Sequence, residues 1–341
     1  MKTLIHKFVC LVILLAILQT AIAQSTDAST LHETARSLMR QGDFENALLV
    51  LGKAIQQQPD DIDLLKDQAF ALYLKRDFAG AIDSSKKIIA RPDADVQSYQ
   101  ILGLAYKAIA EYKESDKMYK EALKRFPNSG VLYSEYGELL SSNNNASIAI
   151  KQWEKGIETD PNYSGNYYNA AKYYAQKGNV IWGLLYSEIF VNIESLSKRT
   201  DEIKDILYGG YKKLFSAPAS LNNAKLNGTP FEKAVATNLS KLTNLMRDEV
   251  IPETLTQLRT RFILSWYNGA SRQYAFRLFE QQRLMLQEGY FDAYNQWLIG
   301  ASADTPKYQQ WMLNHPNEVK AFQEFQRNKL FKIPEGQYYP H

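Results

Sequence analysis

Small side chains recur through the first half of this chain at a fixed interval of 34 residues. The first series comprises Ala35, Ala69, Gly103, Gly137 and Ala171. A second series follows each of these positions by twelve residues and comprises Ala47, Ala81, Ser115, Ala149 and Gly183. Self-similarity at a period of roughly 20–50 residues is the signature of a repeat architecture. This interval restricts the fold more strongly than any other property of the sequence.

Larger apolar side chains flank the small ones at helical spacing. Four residues before the first series stand Leu31, Leu65, Tyr99, Tyr133 and Tyr167. Three residues after it stand Leu38, Leu72, Tyr106, Leu140 and Tyr174. Such spacings put large and small side chains on one helix face. We therefore predict pairs of antiparallel helices that cross closely, with glycine-containing turns within pairs and prolines between them, at Gly42, Gly178, Pro59, Pro127 and Pro161.

These residues resemble those of a known repeat family. Leu31-x3-Ala35-x2-Leu38, followed by Gly42-Asp43-Phe44-x2-Ala47, looks like a tetratricopeptide repeat (TPR) at nearly every diagnostic position. The resemblance covers five repeats over residues 28–197, about half of the chain. It implies an all-α fold, in which a right-handed TPR superhelix of about five helix hairpins precedes a smaller all-helical C-terminal domain.

The first 23 residues have the properties of a secretory signal peptide. Lys2 and Lys7 make a basic start, an apolar run continues to Leu18, and Ala21-Ile22-Ala23 forms a small-x-small cleavage pattern. We predict cleavage near Ala23 and an exported, periplasmic or secreted protein, while retention of the leader as an anchor stays open. The only cysteine, Cys10, lies inside the apolar run, so no lipid anchor is expected after cleavage.

The second half has no clear period but has distinct helix starts. Residues 198–219 are predicted to form a capping helix and a linker, and a turn-rich stretch continues to Gly228. We assign residues 220–341 to a helical C-terminal domain. Its helix starts are indicated by Thr229-Pro230, Ile251-Pro252, Thr305-Pro306 and His315-Pro316. The tail from Leu330 to His341 is expected to be extended.

The sequence contains no arrangement of residues that is typical of a catalytic site. Its four histidines are not at metal-ligand spacing, and neither a metal site nor a cofactor is predicted. A net charge of +3 disfavours nucleic acid as the partner. Acidic residues at 60, 61, 63 and 67 suit a helix start better than a cation site. Arginines among aromatic residues after position 258 are explained by packing of arginine stems over rings.

The family resemblance implies a binding surface on the first helix of each hairpin, which lines a concave groove in tetratricopeptide repeat proteins. The corresponding residues here are His32, Arg36, Lys66, Phe70, Tyr73, Gln100, Leu104, Lys107, Glu135, Glu138, Tyr168, Asn169 and Lys172. We therefore expect an extracytoplasmic scaffold or adaptor that binds another protein or a peptide. The alternative is a cell-envelope enzyme with an unrecognised hydrolytic site in the C-terminal domain. Partner identity, oligomeric state and association with the cell envelope stay open.

Overall fold

A computed structural model describes residues 27–247 and 249–339. The predicted leader lies outside these residues. Every regular element in the described ranges is a helix, which confirms the all-α prediction. The chain divides into two compact units, one ending at Ser115 and the other beginning at Asp116. Each unit is described by itself below.

The first unit contains two complete helix pairs and one further helix. These are α1 (Ala28–Gln41), α2 (Phe44–Gln57), α3 (Ile62–Leu74), α4 (Phe78–Ile89) and α5 (Val96–Ala108). The division between the units falls within α6 (Tyr112–Arg125). We call α1, α3 and α5 first helices because each opens a hairpin of the predicted period.

The second unit continues the pairs and then adds a longer run of helices. The pairs are α7 (Gly130–Ser142) with α8 (Ala146–Thr159), and α9 (Ser164–Lys177) with α10 (Val180–Ile193). Then come α11 (Lys198–Ser216), α12 (Leu221–Asn227), α13 (Pro230–Ser240), α14 (Pro252–Tyr267), α15 (Arg277–Gln287), α16 (Phe291–Ala303), α17 (Thr305–Asn314) and α18 (Pro316–Asn328). The first helices of this unit are α7 and α9, and α11 follows them in sequence.

The two series of small residues lie where helices meet. All ten are buried, and Ala35, Ala47, Ala69, Ala81, Ala149 and Ala171 have no exposed surface. The tightest contact is between Gly137 of α7 and Trp153 of α8, where a methyl group on the glycine would overlap the indole ring. The same indole donates a hydrogen bond to the Ser134 carbonyl oxygen at 3.2 Å. Close approach of paired helices is therefore the reason for the small residues.

Helix ends agree with the predicted turns at two glycines. Gly42 and Gly178 end α1 and α9 with φ of 82° and 77°, values that favour glycine. The turn-rich stretch predicted up to Gly228 is wrong in one part, because it contains helix α12. Leu221 begins this helix and is only 2% exposed, so burial of its side chain holds a segment that local propensity assigns to a loop.

The helices after α11 pack on α10 through a buried ion pair. Glu188 of α10 is 3% exposed and accepts hydrogen bonds from Arg259, Gln282 and Tyr294, the last two at 2.8 Å. Arg259 also donates to Asn295 and lies over the Tyr294 ring. A buried charge needs such partners because desolvation is costly. This cluster joins the last repeated hairpin to α14, α15 and α16.

The C-terminal tail, residues 330–339, packs against other parts of the second unit without forming a helix. Asn162 bonds both the amide nitrogen and the carbonyl oxygen of Ile333, at 2.9 and 3.1 Å. The Tyr339 ring stacks on Phe231 with centroids 4.7 Å apart, and its hydroxyl donates to the Ala275 carbonyl oxygen. The tail is thus held by specific contacts as far as residue 339.

Replacing Gly137 by alanine tests the close-approach requirement. Alanine is intrinsically about 1 kcal/mol better than glycine in a helix. Overlap with the Trp153 ring should outweigh this gain and destabilise the protein by about 1–3 kcal/mol. Urea unfolding measures the change. Gly209→Ala in α11 is the matched control, because its added methyl group meets no atom within 4 Å. An unchanged or raised stability of Gly137→Ala would refute the requirement.

Arg259→Met tests the buried ion pair. The substitution leaves the Glu188 carboxylate buried without its cation, and a loss of about 3–5 kcal/mol is expected. The double variant with Glu188→Met should lose less than the sum of the single variants, because both charges are then removed. Arg272→Met, at an exposed arginine, should stay within about 0.5 kcal/mol of wild type. Additive losses in the double variant would contradict a coupled pair.

Candidate functional site

In the first unit, a polar contact links successive first helices on the side predicted to bind. His32 and Arg36 lie one turn apart on α1, and both bond the Asp67 carboxylate of α3. The Oδ2 atom of Asp67 lies 2.7 Å from His32 Nε2 and 2.7 Å from Arg36 Nε. We call this arrangement a fork: two side chains one turn apart on one helix, bonded to one side chain on the next first helix.

The second unit has a fork at the equivalent positions. Asn169 of α9 donates to the Ser134 hydroxyl and the Glu138 carboxylate of α7, each at 3.3 Å. Ser134 and Glu138 are separated by the same four residues as His32 and Arg36. The Asn169 amide takes the place of the Asp67 carboxylate as the single side chain of the fork. The two side chains four residues apart now accept hydrogen bonds, whereas His32 and Arg36 donate them.

A third fork joins α9 to α11. Tyr168 and Lys172 of α9 both donate to the Glu202 carboxylate, at 2.5 and 2.7 Å. Lys172 also bonds the Tyr168 hydroxyl at 3.1 Å and lies over that ring. Since Glu202 receives two donors here, α11 takes the place of a further first helix on this face.

Opposite charges are paired in the first and third forks. The hydrogen bond to Asp67 raises the pKa of the Arg36 guanidinium. Hydrogen bonds from Lys172 and Tyr168 lower the pKa of the Glu202 carboxyl. Both pairs are partly exposed, so each contributes only about 0.2–1 kcal/mol to stability. The forks therefore fix side-chain positions on what we call the open face of each unit: the fork-bearing side of α1, α3 and α5 in the first unit, and of α7, α9 and α11 in the second.

The remaining predicted residues of the first unit differ in accessibility. Lys66 was expected on the groove surface, but it is only 4% exposed and its ammonium bonds Asp63 and Asp95 at 2.8 and 2.6 Å. Phe70 and Tyr73 are half-buried and stack with ring centroids 6.0 Å apart. Three residues of α5 complete the set, of which Leu104 and Lys107 are exposed and Gln100 is half-buried.

The predicted carboxylates of α7 are held by neighbours in the second unit. Glu135 accepts a hydrogen bond from the Tyr119 hydroxyl at 3.2 Å, and Glu138 accepts from Asn169. Burial, together with these carboxylates, raises the pKa of Tyr119. Glu135 and Glu138 thus have separate structural partners and do not form an isolated acid–base pair.

Sequence reasoning missed three members of the forks. Asp67 was assigned to a helix start, and Ser134 and Glu202 were not singled out. A signal was present, because Asp67 occupies the same register position as Asn169, and Ser134 and Glu202 the same position as His32 and Tyr168. Aligning polar residues, as well as small ones, to the 34-residue period would have found them.

The C-terminal helices contain a polar cavity of about 370 Å³. Three of its titratable side chains make local contacts: Glu253 accepts from Gln296, Asp304 caps α17, and the His315 ring stacks on Trp311. Within residues 27–247 and 249–339 no group of three histidine, cysteine or acidic side chains could hold a metal ion. The described helices also include none that is long and apolar enough to cross a membrane.

Three of the arginines after position 258, namely Arg259, Arg277 and Arg283, lie over aromatic rings, as expected from packing. Arg283 lies 4.3 Å from the Tyr267 ring centroid, and Arg259 lies over two rings at 5.1 and 5.2 Å. Arg259 is only 4% exposed. This buried arginine serves the core and does not belong to a basic surface for nucleic acid.

Comparison with known proteins finds a matching repeat and a curated relative. Residues 96–129 match the family model described as tetratricopeptide repeat, and they span α5 and α6. Tetratricopeptide repeat protein 21B of Homo sapiens is 34% identical over 123 residues. That alignment covers 36% of this chain and only 9% of the human protein.

Solved structures are similar at low identity. A thermophilic TPR protein of Thermus thermophilus is 15% identical, covering 53% of this chain and 98% of that one, with a TM-score of 0.44. A tetratricopeptide repeat protein of Parabacteroides merdae is 16% identical, covering 74% of this chain and 96% of that one, with a TM-score of 0.43. YrrB, described as a TPR protein with an unusual peptide-binding site, is 20% identical, covering 55% of this chain and 96% of that one, with a TM-score of 0.38.

Glu202→Gln tests the third fork and its dependence on pH. The amide can still accept a hydrogen bond but lacks the charge that binds Lys172, so a loss of about 0.5–1 kcal/mol is expected at neutral pH. Because folding lowers the pKa of Glu202 from 4.5, its contribution is complete above that value and is lost as pH falls below it. Urea unfolding of wild type and Glu202→Gln, measured from pH 7 to pH 3, should show the difference between their unfolding free energies shrinking as the pH falls.

The control for this measurement is Glu324→Gln, at an exposed carboxylate of α18. It should leave stability unchanged at every pH. A difference between Glu202→Gln and wild type that stays constant from pH 7 to pH 3 would exclude an electrostatic role for Glu202.

Proposed function

We propose that this chain is an extracytoplasmic scaffold that binds a protein or peptide through the open face of its first helices. The observation that carries the proposal is the recurrence of the fork in both units. A fork uses polar groups to hold neighbouring first helices in place without covering the face with apolar side chains. The face is thereby ordered before a partner arrives, which lowers the entropy cost of binding.

In each unit, side chains suited to recognition lie on the fork-bearing side of the first helices. The Phe70 and Tyr73 rings of α3 are partly accessible, and Leu104 of α5 is 36% exposed. Tyrosine is one of the residue types enriched among the side chains that dominate binding energy at interfaces. In the second unit, Lys172 and Glu138 add charges of opposite sign. This mixture suits a polypeptide partner better than a polyanion.

The match of residues 96–129 to a tetratricopeptide repeat supports this assignment, because stacked helical repeats present extended binding surfaces. A hydrolytic site in the C-terminal helices is the alternative. It has less support, because Glu253, Asp304 and His315 of the polar cavity make local structural contacts. We therefore favour the scaffold.

The extracytoplasmic location rests on the leader sequence alone. Its basic start, apolar run and Ala21-Ile22-Ala23 pattern support cleavage before Gln24. N-terminal sequencing of the protein from fractionated cells tests this, with Gln24 expected at the start of the exported form. Recovery of the chain from the cytoplasm with Met1 intact would reject the location and leave the binding proposal standing.

Photo-crosslinking in intact cells tests the binding face. A photoreactive amino acid at Tyr73 or Leu104 should yield discrete adducts with a partner. Matched controls are Leu49 and Ile148, which are exposed apolar residues on the second helices α2 and α8. They should give no such adducts, because their side chains lie on helices that carry no fork. Mass spectrometry of the adducts reports the partner.

Two results would contradict the proposal. Equal crosslinking from Leu49 and Tyr73 would mean that the open face has no preference. Adducts from Leu49 or Ile148 alone would move the binding surface to the second helices.

A further inference from the structure

A cleft of about 430 Å³ opens in the second unit where the end of α9 and the start of α10 face α11. Its volume falls in the range of ligand pockets, roughly 300–1,000 Å³. The floor is apolar and includes Val180, Leu184 and Ile206, and several glycines contribute backbone only. The cleft adjoins the third fork, because Lys172 and Glu202 are also among its lining residues.

Two consecutive glycines of α11 line this cleft. A side chain at Gly210 would collide with Leu184, because an added Cβ atom would lie 2.8 Å from Leu184 Cδ2. Gly210 therefore allows α11 to approach α10. Gly209 is different, since an added Cβ atom there meets nothing within 4 Å. Glycine inside a helix weakens it relative to alanine, and no contact within the described chain explains glycine at position 209.

The rim of the cleft is basic. Its charged lining residues are Lys172, Lys213 and Glu202, and the Glu202 carboxylate already accepts bonds from Lys172 and Tyr168. The Lys213 ammonium is exposed and contacts only the Ala175 carbonyl oxygen, at a long 3.4 Å, among the bonds described. An apolar floor beside an accessible ammonium group is complementary to an apolar side chain next to a carboxylate.

We propose that the cleft receives one bulky apolar side chain of a bound peptide segment, and that Lys213 pairs with an acidic residue beside it. This inference rests on the proposed binding function and specifies which segment the protein selects. A membrane surface is a poorer occupant, because none of the exposed large apolar side chains is among the lining residues. Burial of one leucine or phenylalanine side chain corresponds to about tenfold to hundredfold in affinity.

Selection from a displayed library of random peptides on the full chain tests the cleft. Enriched peptides should share a leucine, isoleucine, phenylalanine or methionine next to aspartate or glutamate. Gly209→Leu, which places a side chain in the open space of the cleft, should weaken binding of these peptides by about tenfold or more. Gly52→Leu is the matched control, since Gly52 is also a helical glycine with nothing within 4 Å and is not among the residues that line the cleft. It should bind as wild type does.

Charge is tested separately. Lys213→Glu should weaken the same peptides and remove the preference for an acidic neighbour, while Lys233→Glu, at an exposed lysine of α13, should do neither. Circular dichroism confirms that each variant is folded. Restored binding when the acidic residue of the peptide is changed to lysine in the Lys213→Glu background would support the direct pairing.

The outcomes separate this inference from the proposed function. If the enriched peptides bind the Gly209→Leu variant as tightly as wild type but bind the Glu138→Lys variant more weakly, the cleft is refuted as their binding site and the open face is retained. A library that yields no peptide binder would count against both. Retention of anionic phospholipid vesicles by wild type but not by Gly209→Leu, without peptide enrichment, would overturn the peptide as the occupant.

Discussion

Close packing between paired helices is the constraint on which the rest of this structure depends. Side chains no larger than alanine or serine stand at the crossing points, and at Gly137 even a methyl group would overlap the Trp153 ring. Since crossing helices bury these positions completely, each pair has a fixed geometry that the next pair can repeat. The larger neighbours then fill the surrounding core. The polar residues of the first helices are thereby left on one face.

The forks show how that face acquires order. In the first unit, His32 and Arg36, four residues apart on one helix, both bond Asp67 on the next first helix. In the second unit, Ser134 and Glu138 have the same spacing and bond Asn169, so neutral and charged groups of different chemistry occupy the same positions. What persists is the geometry, not the charge. A surface that is rigid in backbone but varied in side chains suits recognition of a specific segment, and the cleft beside α11 extends this surface with an apolar recess.

The repeated half of the fold could be predicted because its determinants are local and periodic. Small residues, turn glycines and prolines each have a backbone or packing reason that depends on neighbours within one hairpin. Four of the helices after α11 (α13, α14, α17 and α18) could be located from their proline starts, but their packing could not. The bond between Glu188 and Arg259 joins residues far apart in sequence, and no period relates them. Lys66 is predicted at the surface for a related reason: Asp63 is local, but Asp95, which also bonds its ammonium, comes from the loop before the next first helix.

Amide hydrogen exchange with a bound peptide tests the central claim most directly, namely that the first helices present the binding face. A peptide selected on the wild-type chain should slow exchange in α7, α9 and α11, or in α1, α3 and α5, and leave the second helices α2, α4 and α8 unchanged. Slower exchange confined to α8, or to the helices from α14 to α18, would show that the partner binds elsewhere and would contradict the account.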